Sequence, residues 1–281
     1  MLRIPLTSMA VTLTLLGTGT SQGVPVITCD CTVCASADVM DKRLRTSAMY
    51  EVSCESNSSD VRRFIVDTGP DFRQQMLREK VSNVDAVLFT HEHKDHVAGL
   101  DDVRAFNFKQ KSAIDLYASE RVQEALNREF HYAFSGEGYP GIPQLEMHTI
   151  TDAPFTVAGV EVTPIPVRHL NLPVVGFRIE DVAYITDASH LTPEAWERLQ
   201  GLDVLVINAL RKKAHISHFN LEQALRVIEE LKPSRAYLTH ISHLMGLHAE
   251  VSQELPDGVQ LGYDGLVIHS DGLQSSQPSA L

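Results

Sequence analysis

Apolar residues fall into short runs separated by polar or glycine-rich breaks, the pattern of many strands with helices between them. Ala10 to Leu16 alternates with Thr12 and Thr14 and reads as a strand. Gly17-Thr18-Gly19-Thr20 then allows either a plain turn or close backbone approach. Arg45 to Val52 and Arg63 to Val66 read as two strands of a meander, with the polar stretch Glu55 to Asp60 as their turn. Phe72 to Glu79 is a helix, Val84 to Phe89 a buried strand, and Asp101 to Lys109 a helix with Val103 and Phe106 facing inward. Leu116 to Ala118 is a short strand, and Ser119 caps the helix Glu120 to Phe130. His131 to Leu145, rich in Gly, Pro and aromatic residues, is long for a simple connection and reads as a pocket wall or lid. Phe155 to Val157 and Val160 to Val167 form a hairpin about Ala158-Gly159. Strands follow at Val182 to Ile185, Val204 to Asn208 and Ala236 to Thr239, and a last hairpin segment at Val259 to Ile268. Thr192-Pro193 opens one helix, and Leu221 to Leu231 carries apolar residues at 221, 224, 225, 228 and 231, one clean helical face.

No internal repeat or interdomain linker interrupts this pattern, and the 281 residues read as one domain, with residues 1–9 an N-terminal extension, Met9 a candidate start and residues 270–281 a disordered tail. Hydrophobic residues at 43% and charged residues at 21% describe an ordinary globular chain. A formal net charge of -12 argues against nucleic-acid polymers as partners, which usually meet a basic face. No apolar run approaches the roughly 20 residues that span a bilayer, and the N-terminus lacks a small-residue cleavage pattern, so the expected compartment is the cytoplasm, with no membrane partner.

Chemistry concentrates in Thr90-His91-Glu92-His93-Lys94-Asp95-His96, directly after the strand Val84 to Phe89. His91 and His93 lie two apart, so an extended backbone puts both imidazoles on one side. Imidazole and carboxylate together suit zinc, manganese, iron or nickel. Further candidate ligands recur at strand ends: His169, Asp187 and His240. With His91, His93, Asp95 and His96 they are enough for two ions, which at a separation of about 3.5–4 Å can clamp a substrate oxygen. Asp187 is the natural bridge, since one carboxylate can bind both. Asp67, also at a strand end, either orients one of these ligands or caps a turn. Cys29, Cys31 and Cys34 form a C-x-C-x-x-C cluster that supplies three corners of a tetrahedral zinc site or remains reduced and metal-free. His131 and His148 lack ligand-like company and read as surface or packing residues.

H-x-H-x-D-H with later His, Asp and His at strand ends resembles the metallo-β-lactamase superfamily over Leu13 to about Ile268. That resemblance implies an α/β fold, an αββα four-layer sandwich. It assigns His91, His93 and His169 to one divalent ion, Asp95, His96 and His240 to the other, and Asp187 to both. Gly17-Thr18-Gly19, Gln22-Gly23-Val24-Pro25 and the three cysteines further resemble the PhnP family, phosphodiesterases of the carbon–phosphorus lyase pathway. This implies a structural zinc on Cys29, Cys31, Cys34 and His243, two manganese or zinc ions in the active site, and a homodimer. It also makes His218 the acid for the leaving alkoxide, with His215 its substitute. The expected activity is hydrolysis of a small phosphodiester, cyclic ones included, by a hydroxide bridging the two metals, with Asp187 and His218 as catalytic residues. Glu120 to His148 departs from the PhnP pattern in length, and Arg168, Arg211, Lys212 and Lys213 divide between phosphate binding and solvated surface. The rivals are a thioester, lactone or β-lactam hydrolase on the same fold and, in another class, a non-catalytic metal-binding interaction protein.

Overall fold

The computed structural model describes residues 9–54, 57–136 and 141–270. Six strands, β1 (Met9–Gly17), β2 (Ser47–Cys54), β3 (Asn57–Val66), β4 (Ala86–Leu88), β5 (Ile114–Ala118) and β6 (Leu145–Thr149), lie in one sheet. Eight more, β7 (Phe155–Val157), β8 (Val160–His169), β9 (Leu172–Ile179), β10 (Val182–Tyr184), β11 (His190–Leu191), β12 (Val204–Asn208), β13 (Arg235–Thr239) and β14 (Val259–Leu261), form a second. A last strand, β15 (Leu266–His269), returns to the first sheet beside β1. The first sheet runs in the order β15-β1-β2-β3-β4-β5-β6, the second in the order β11-β8-β9-β10-β12-β13-β14, with β7 on β8.

Alternation along each strand divides its side chains between two layers of core. Leu13, Tyr50, Phe64 and Leu88 of the first sheet meet Phe177, Tyr184, Val206 and Tyr237 of the second. Ile65, Val87 and Leu116 point the other way, under the helices α2 (Phe72–Arg78), α4 (Arg104–Gln110) and α5 (Glu120–Glu129). Leu205, Ile207 and Leu238 face α7 (Pro193–Arg198), α8 (Leu221–Leu231) and α9 (His248–Ser252). Three short helices, α1 (Thr32–Ala35), α3 (Lys94–Val97) and α6 (His131–Phe134), sit in loops. The result is an αββα sandwich. Strands β4 and β12 read as continuous apolar runs because each is parallel to its neighbours and covered on both faces.

The strand β12 and the helix α8 match their predicted ranges, and Ala158-Gly159 makes the predicted hairpin turn with φ of 46° and 87°. Thr192 caps α7 through Ala195. Other expectations need correction. The extension does not reach residue 9, because Met9 already pairs with Cys54, and the tail does not begin at 270, because the Ser270 N–H donates to Val11. Residues 1–8 and 271–281 lie outside the described residues. The strand predicted to start at Arg63 starts at Asn57, which shortens the Glu55 to Asp60 turn. Ser119 precedes α5 but makes no side-chain cap. The 101–109 helix opens as a 3₁₀ turn over Leu100–Val103. Within the irregular 131–145 segment lie α6 and the first residue of β6, and β9 was not anticipated. Val259 to Ile268 is no hairpin: β14 belongs to one sheet and β15 to the other. Asp264, between them, accepts from the Thr18 N–H and hydroxyl and the Leu44 N–H, which fixes the chain as it crosses. No helix among the described residues is long and apolar enough to cross a membrane.

Candidate metal centre

The predicted ligands gather where β3, β4, β8, β10 and β13 end, the edge at which open sheets with parallel strands collect ligands. Three residues at these ends, Asp67, Asp187 and His240, have φ of 64°, 57° and 53°. Left-handed backbone is uncommon for residues other than glycine and clusters at functional sites.

The hydrogen bonds around the metal loop choose which nitrogen each histidine leaves free. Asp67 accepts from the Thr90 N–H and from the Thr90 hydroxyl, both at 2.8 Å. That hydroxyl has spent its proton, so at 3.0 Å it accepts from His91 Nδ1, which leaves His91 Nε2 without a proton. Asp67 also takes the Nδ1 proton of His96 at 2.7 Å. His169 Nδ1 donates to the Ser217 carbonyl at 2.7 Å. Asp67 thus orients His96, a candidate ligand, and Ser217 is a contributor that sequence reasoning missed, since nothing in the local pattern marks a carbonyl.

Both oxygens of Asp187 face imidazoles of candidate ligands. Its Oδ1 lies 3.0 Å from His218 Nε2 and 3.2 Å from His240 Nε2. Its Oδ2 lies 3.3 Å from His96 Nε2 and accepts from the Thr186 hydroxyl. Asp95 stands 3.3 Å from His96 Nε2 and 4.0 Å from His240 Nε2. His93 completes the group, its ring centroid 4.5 Å from His91 and 5.2 Å from His169. Buried Asn208 holds both the N–H and the carbonyl of Ala188, fixing the turn that carries Asp187.

The electrostatics fit a cation. Burial opposes the charge on Asp187, yet His240, His96 and His218 outweigh it and hold the carboxyl well below its usual range. Burial likewise opposes a charge on His96, but Asp95, Asp187 and Asp67 push its pKa well up. Burial, then the neighbouring His96, pushes His91 well down. Burial raises Asp67 in spite of His96 beside it. His91 Nε2, His96 Nε2 and both nitrogens of His240 are buried without an aligned hydrogen-bond partner. Such orphans are costly unless something else satisfies them, and a divalent ion among imidazole and carboxylate donors would do so. His91, His96 and Asp187 form one group able to hold an ion, and Asp95, His96 and His240 another.

His218 sits beside this group rather than outside it, with His169 and Asp187. Burial, only partly offset by Asp187, lowers its pKa to about 4. Its Nδ1 lies 3.0 Å from Ser217 Oγ and 3.2 Å from His215 Nδ1. The loop is tied down on both sides: Phe219 N–H donates to the Ala188 carbonyl, and Asn220 forms a capping box with Gln223 at the start of α8. Of the four basic residues considered for phosphate binding, Arg211 donates to the carbonyls of Lys213 and Ala214, and Lys212 pairs with Glu254.

A second cluster joins distant parts of the chain. Cys29, Cys31 and Cys34 place their sulfurs 3.3, 3.4 and 3.5 Å from His243 Nδ1. Zinc–sulfur and zinc–nitrogen bonds of about 2.3 and 2.0 Å at a tetrahedral angle put S and N about 3.5 Å apart, close to these three distances, and the four side chains form a group able to hold an ion. Cys31 also caps α1, and the hydrogen bond from the Cys34 N–H helps lower its thiol to about 6, while burial raises Cys34 to about 11. His148, expected to lack ligand-like company, stacks on Tyr117 and meets Asp115 at 3.1 Å, and with Asp115 and Glu146 it forms a further, more exposed group close enough to hold an ion.

A family model described as the beta-lactamase superfamily domain matches residues 62–241. A crystal structure described as a new diphosphatase from the PhnP family shares 40% identity and a TM-score of 0.84, covering 93% of this chain and 98% of that one. A curated protein named octanoyltransferase, from Porphyromonas gingivalis (strain ATCC BAA-308 / W83), is 40% identical over 264 residues, 92% of this chain but 52% of that protein, so the chain spans about half the length of this relative. A ribonuclease Z from Mycobacterium bovis (strain BCG / Pasteur 1173P2) is 29% identical over 53% of this chain and 60% of its own length. With the sandwich and the strand-end ligands already in place, these matches show that the chain belongs to the metallo-β-lactamase superfamily and resembles its PhnP members.

Proposed function

We propose that the protein is a metal-dependent phosphoesterase that hydrolyses a small phosphodiester or diphosphate. The observation that supports this reading is Asp187, which belongs to two groups able to hold an ion, one with His91 and His96 and another with His169 and His218. His91, His93 and His169 would hold one ion, Asp95, His96 and His240 the second, with Asp187 shared; manganese and zinc both suit the donors. Two such ions, when bound, lower the pKa of water and neutralise charge on a phosphate. The protein contributes orientation. Asp67, Thr90 and Ser217 hold His91, His96 and His169 in the tautomers that present Nε2. His218, whose Nε2 lies 3.0 Å from Asp187 Oδ1, would turn that nitrogen's proton to the departing oxygen. Burial keeps it neutral at pH 7, and an arriving phosphate would raise its pKa toward the protonated form. Cys29, Cys31, Cys34 and His243 would hold a structural zinc, and reduced thiols in such a cluster suit the cytoplasm.

A second reading, hydrolysis of an acyl thioester, draws on the relative named octanoyltransferase, although the match spans only half of that protein. The two separate in one assay. Manganese- and zinc-loaded protein should hydrolyse bis(p-nitrophenyl) phosphate, and Asp187→Ala should lose both turnover and metal. Wild-type turnover in metal-bearing Asp187→Ala would end the binuclear reading. Cleavage of an octanoyl thioester with no cleavage of phosphate esters would favour the acyl one.

A further inference from the structure

The last residue of β12 departs from the rest of its strand. Val204, Leu205, Val206 and Ile207 are apolar and fully buried, and Asn208 after them is equally buried but polar. A buried amide is costly unless it is hydrogen-bonded, and both ends of this one go to a single residue. The Ala188 N–H donates to Asn208 Oδ1 at 2.7 Å, and Asn208 Nδ2 donates to the Ala188 carbonyl at 2.9 Å. The same carbonyl accepts the Phe219 N–H at 2.7 Å. Ala188 follows Asp187 and Phe219 follows His218, so one carbonyl joins the turn that carries the carboxylate to the loop that carries the imidazole. A second bond closes the joint: Leu210, two residues past Asn208, donates its N–H to the Phe219 carbonyl at 2.9 Å. Across the joint Asp187 Oδ1 and His218 Nε2 stand 3.0 Å apart. Asp187 needs such support, because its φ of 57° is a conformation that a residue other than glycine keeps only when its surroundings hold it. Packing does not call for an amide at this position, since an apolar residue would continue the strand. The two bonds to Ala188 do call for one.

We propose that Asn208 is a positioning residue for proton delivery: by fixing Ala188 it sets the reach of His218 relative to Asp187. This rests on the phosphoesterase reading and adds a residue to it. In that reaction a water-derived oxygen bonds to phosphorus, the ester P–O bond breaks with its electron pair left on the departing oxygen, and the Nε2 proton of His218 joins that oxygen. General acids contribute about 10²–10⁴-fold, and only within hydrogen-bond reach of the oxygen they protonate. Asn208 itself gives no proton and acts through His218.

The test compares manganese-loaded protein on two diesters that differ in how much the leaving oxygen needs a proton. p-Nitrophenolate leaves as a stable anion, whereas phenolate, with a basicity close to that of the tyrosine side chain, gains from protonation. Asn208→Ala should lower kcat on diphenyl phosphate at least about tenfold and on bis(p-nitrophenyl) phosphate about threefold or less, with KM for both near wild type. In a His218→Asn background the same substitution should cause no further fall in the ratio of the two rates, because the group it positions is gone. In metal-free protein carrying isotope-labelled histidine, Asn208→Ala should shift the His218 imidazole resonances and leave those of His148, on β6, unmoved. Asn208→Asp keeps the shape of the side chain and, ionised at about pH 9, turns an oxygen instead of an N–H toward the Ala188 carbonyl. It should lower the same ratio, and it keeps the test readable if Asn208→Ala does not fold. Equal losses on the two diesters, a ratio that falls as far without His218 as with it, unmoved His218 resonances, or a wild-type ratio in Asn208→Asp overturns the proposal while leaving the phosphoesterase reading in place. Cleavage of neither diester by wild type overturns that reading, and the positioning role falls with it.

Discussion

Replacing Asp67 with Asn changes almost no volume, keeps a residue that tolerates φ of 64°, and removes one acceptor from the hydrogen-bond chain beneath the metal centre. Oδ1 of Asp67 accepts the Thr90 N–H, and an Asn oxygen can keep that bond. The Asn NH₂ then replaces Oδ2, which now accepts from both the Thr90 hydroxyl and His96 Nδ1. The hydroxyl can rotate. The imidazole must instead move its proton to Nε2, the nitrogen 3.3 Å from Asp95 and Asp187, and a protonated Nε2 is no ligand. Loss of such an orienting partner costs about 10–100-fold in metal affinity or activity, equivalent to about 1.4–2.7 kcal/mol. The assay is chelator competition: Asp67→Asn should release one ion about 10–100-fold more readily than wild type while the other is held nearly as before. Wild-type affinity for both ions in Asp67→Asn would refute the tautomer argument.

Gly99→Ala places a Cβ 2.2 Å from the Gly69 carbonyl and 2.9 Å from Phe72 Cβ, so urea denaturation should show about 2–4 kcal/mol lost. His248 is held neutral: burial, then the Arg43 guanidinium donating to its Nδ1, lowers its pKa to about 4. The unfolded chain, with a histidine near 6.5, binds the proton more readily, so stability is full above pH 6.5 and falls as pH drops toward 4. Discounted for residual solvent, the loss is about 1–2 kcal/mol, and it should appear as the amount by which the pH 7 to pH 5 drop in urea stability of wild type exceeds that of His248→Gln, in which His218 and His91 still titrate. Stoichiometric zinc should raise the melting temperature of the metal-free protein, and Cys34→Ser should lose the part of that rise due to the cysteine cluster; equal shifts in both proteins would contradict a zinc there.

Much of the site was legible because it is local. Within Thr90 to His96 the covalent spacing already brings ligands together, so the motif could be read without a fold. Runs such as Val204 to Asn208 were legible because a strand covered on both faces has no polar alternation to confuse it. The helix α8 was equally clear, since its buried residues repeat with the helical period. β9 was missed because Pro173 and Gly176 break its apolar run, and both read locally as turn signals. The β14–β15 hairpin was misread because adjacent apolar runs carry no information about which sheet each joins; buried Asp264 and its partners from Thr18 and Leu44 decide that.

The sequence by itself determined the inventory and order of the ligands, the alternation that builds two sheets, and, through resemblance, the link between three early cysteines and His243. Only the tertiary structure decided which nitrogen of each histidine is free, because Asp67, Thr90 and Ser217 make that choice, and Asp67 and Ser217 lie far along the chain from the rings they orient. A tautomer is set by the partner that folding brings to the ring, and chain spacing is silent about contacts between residues tens of positions apart.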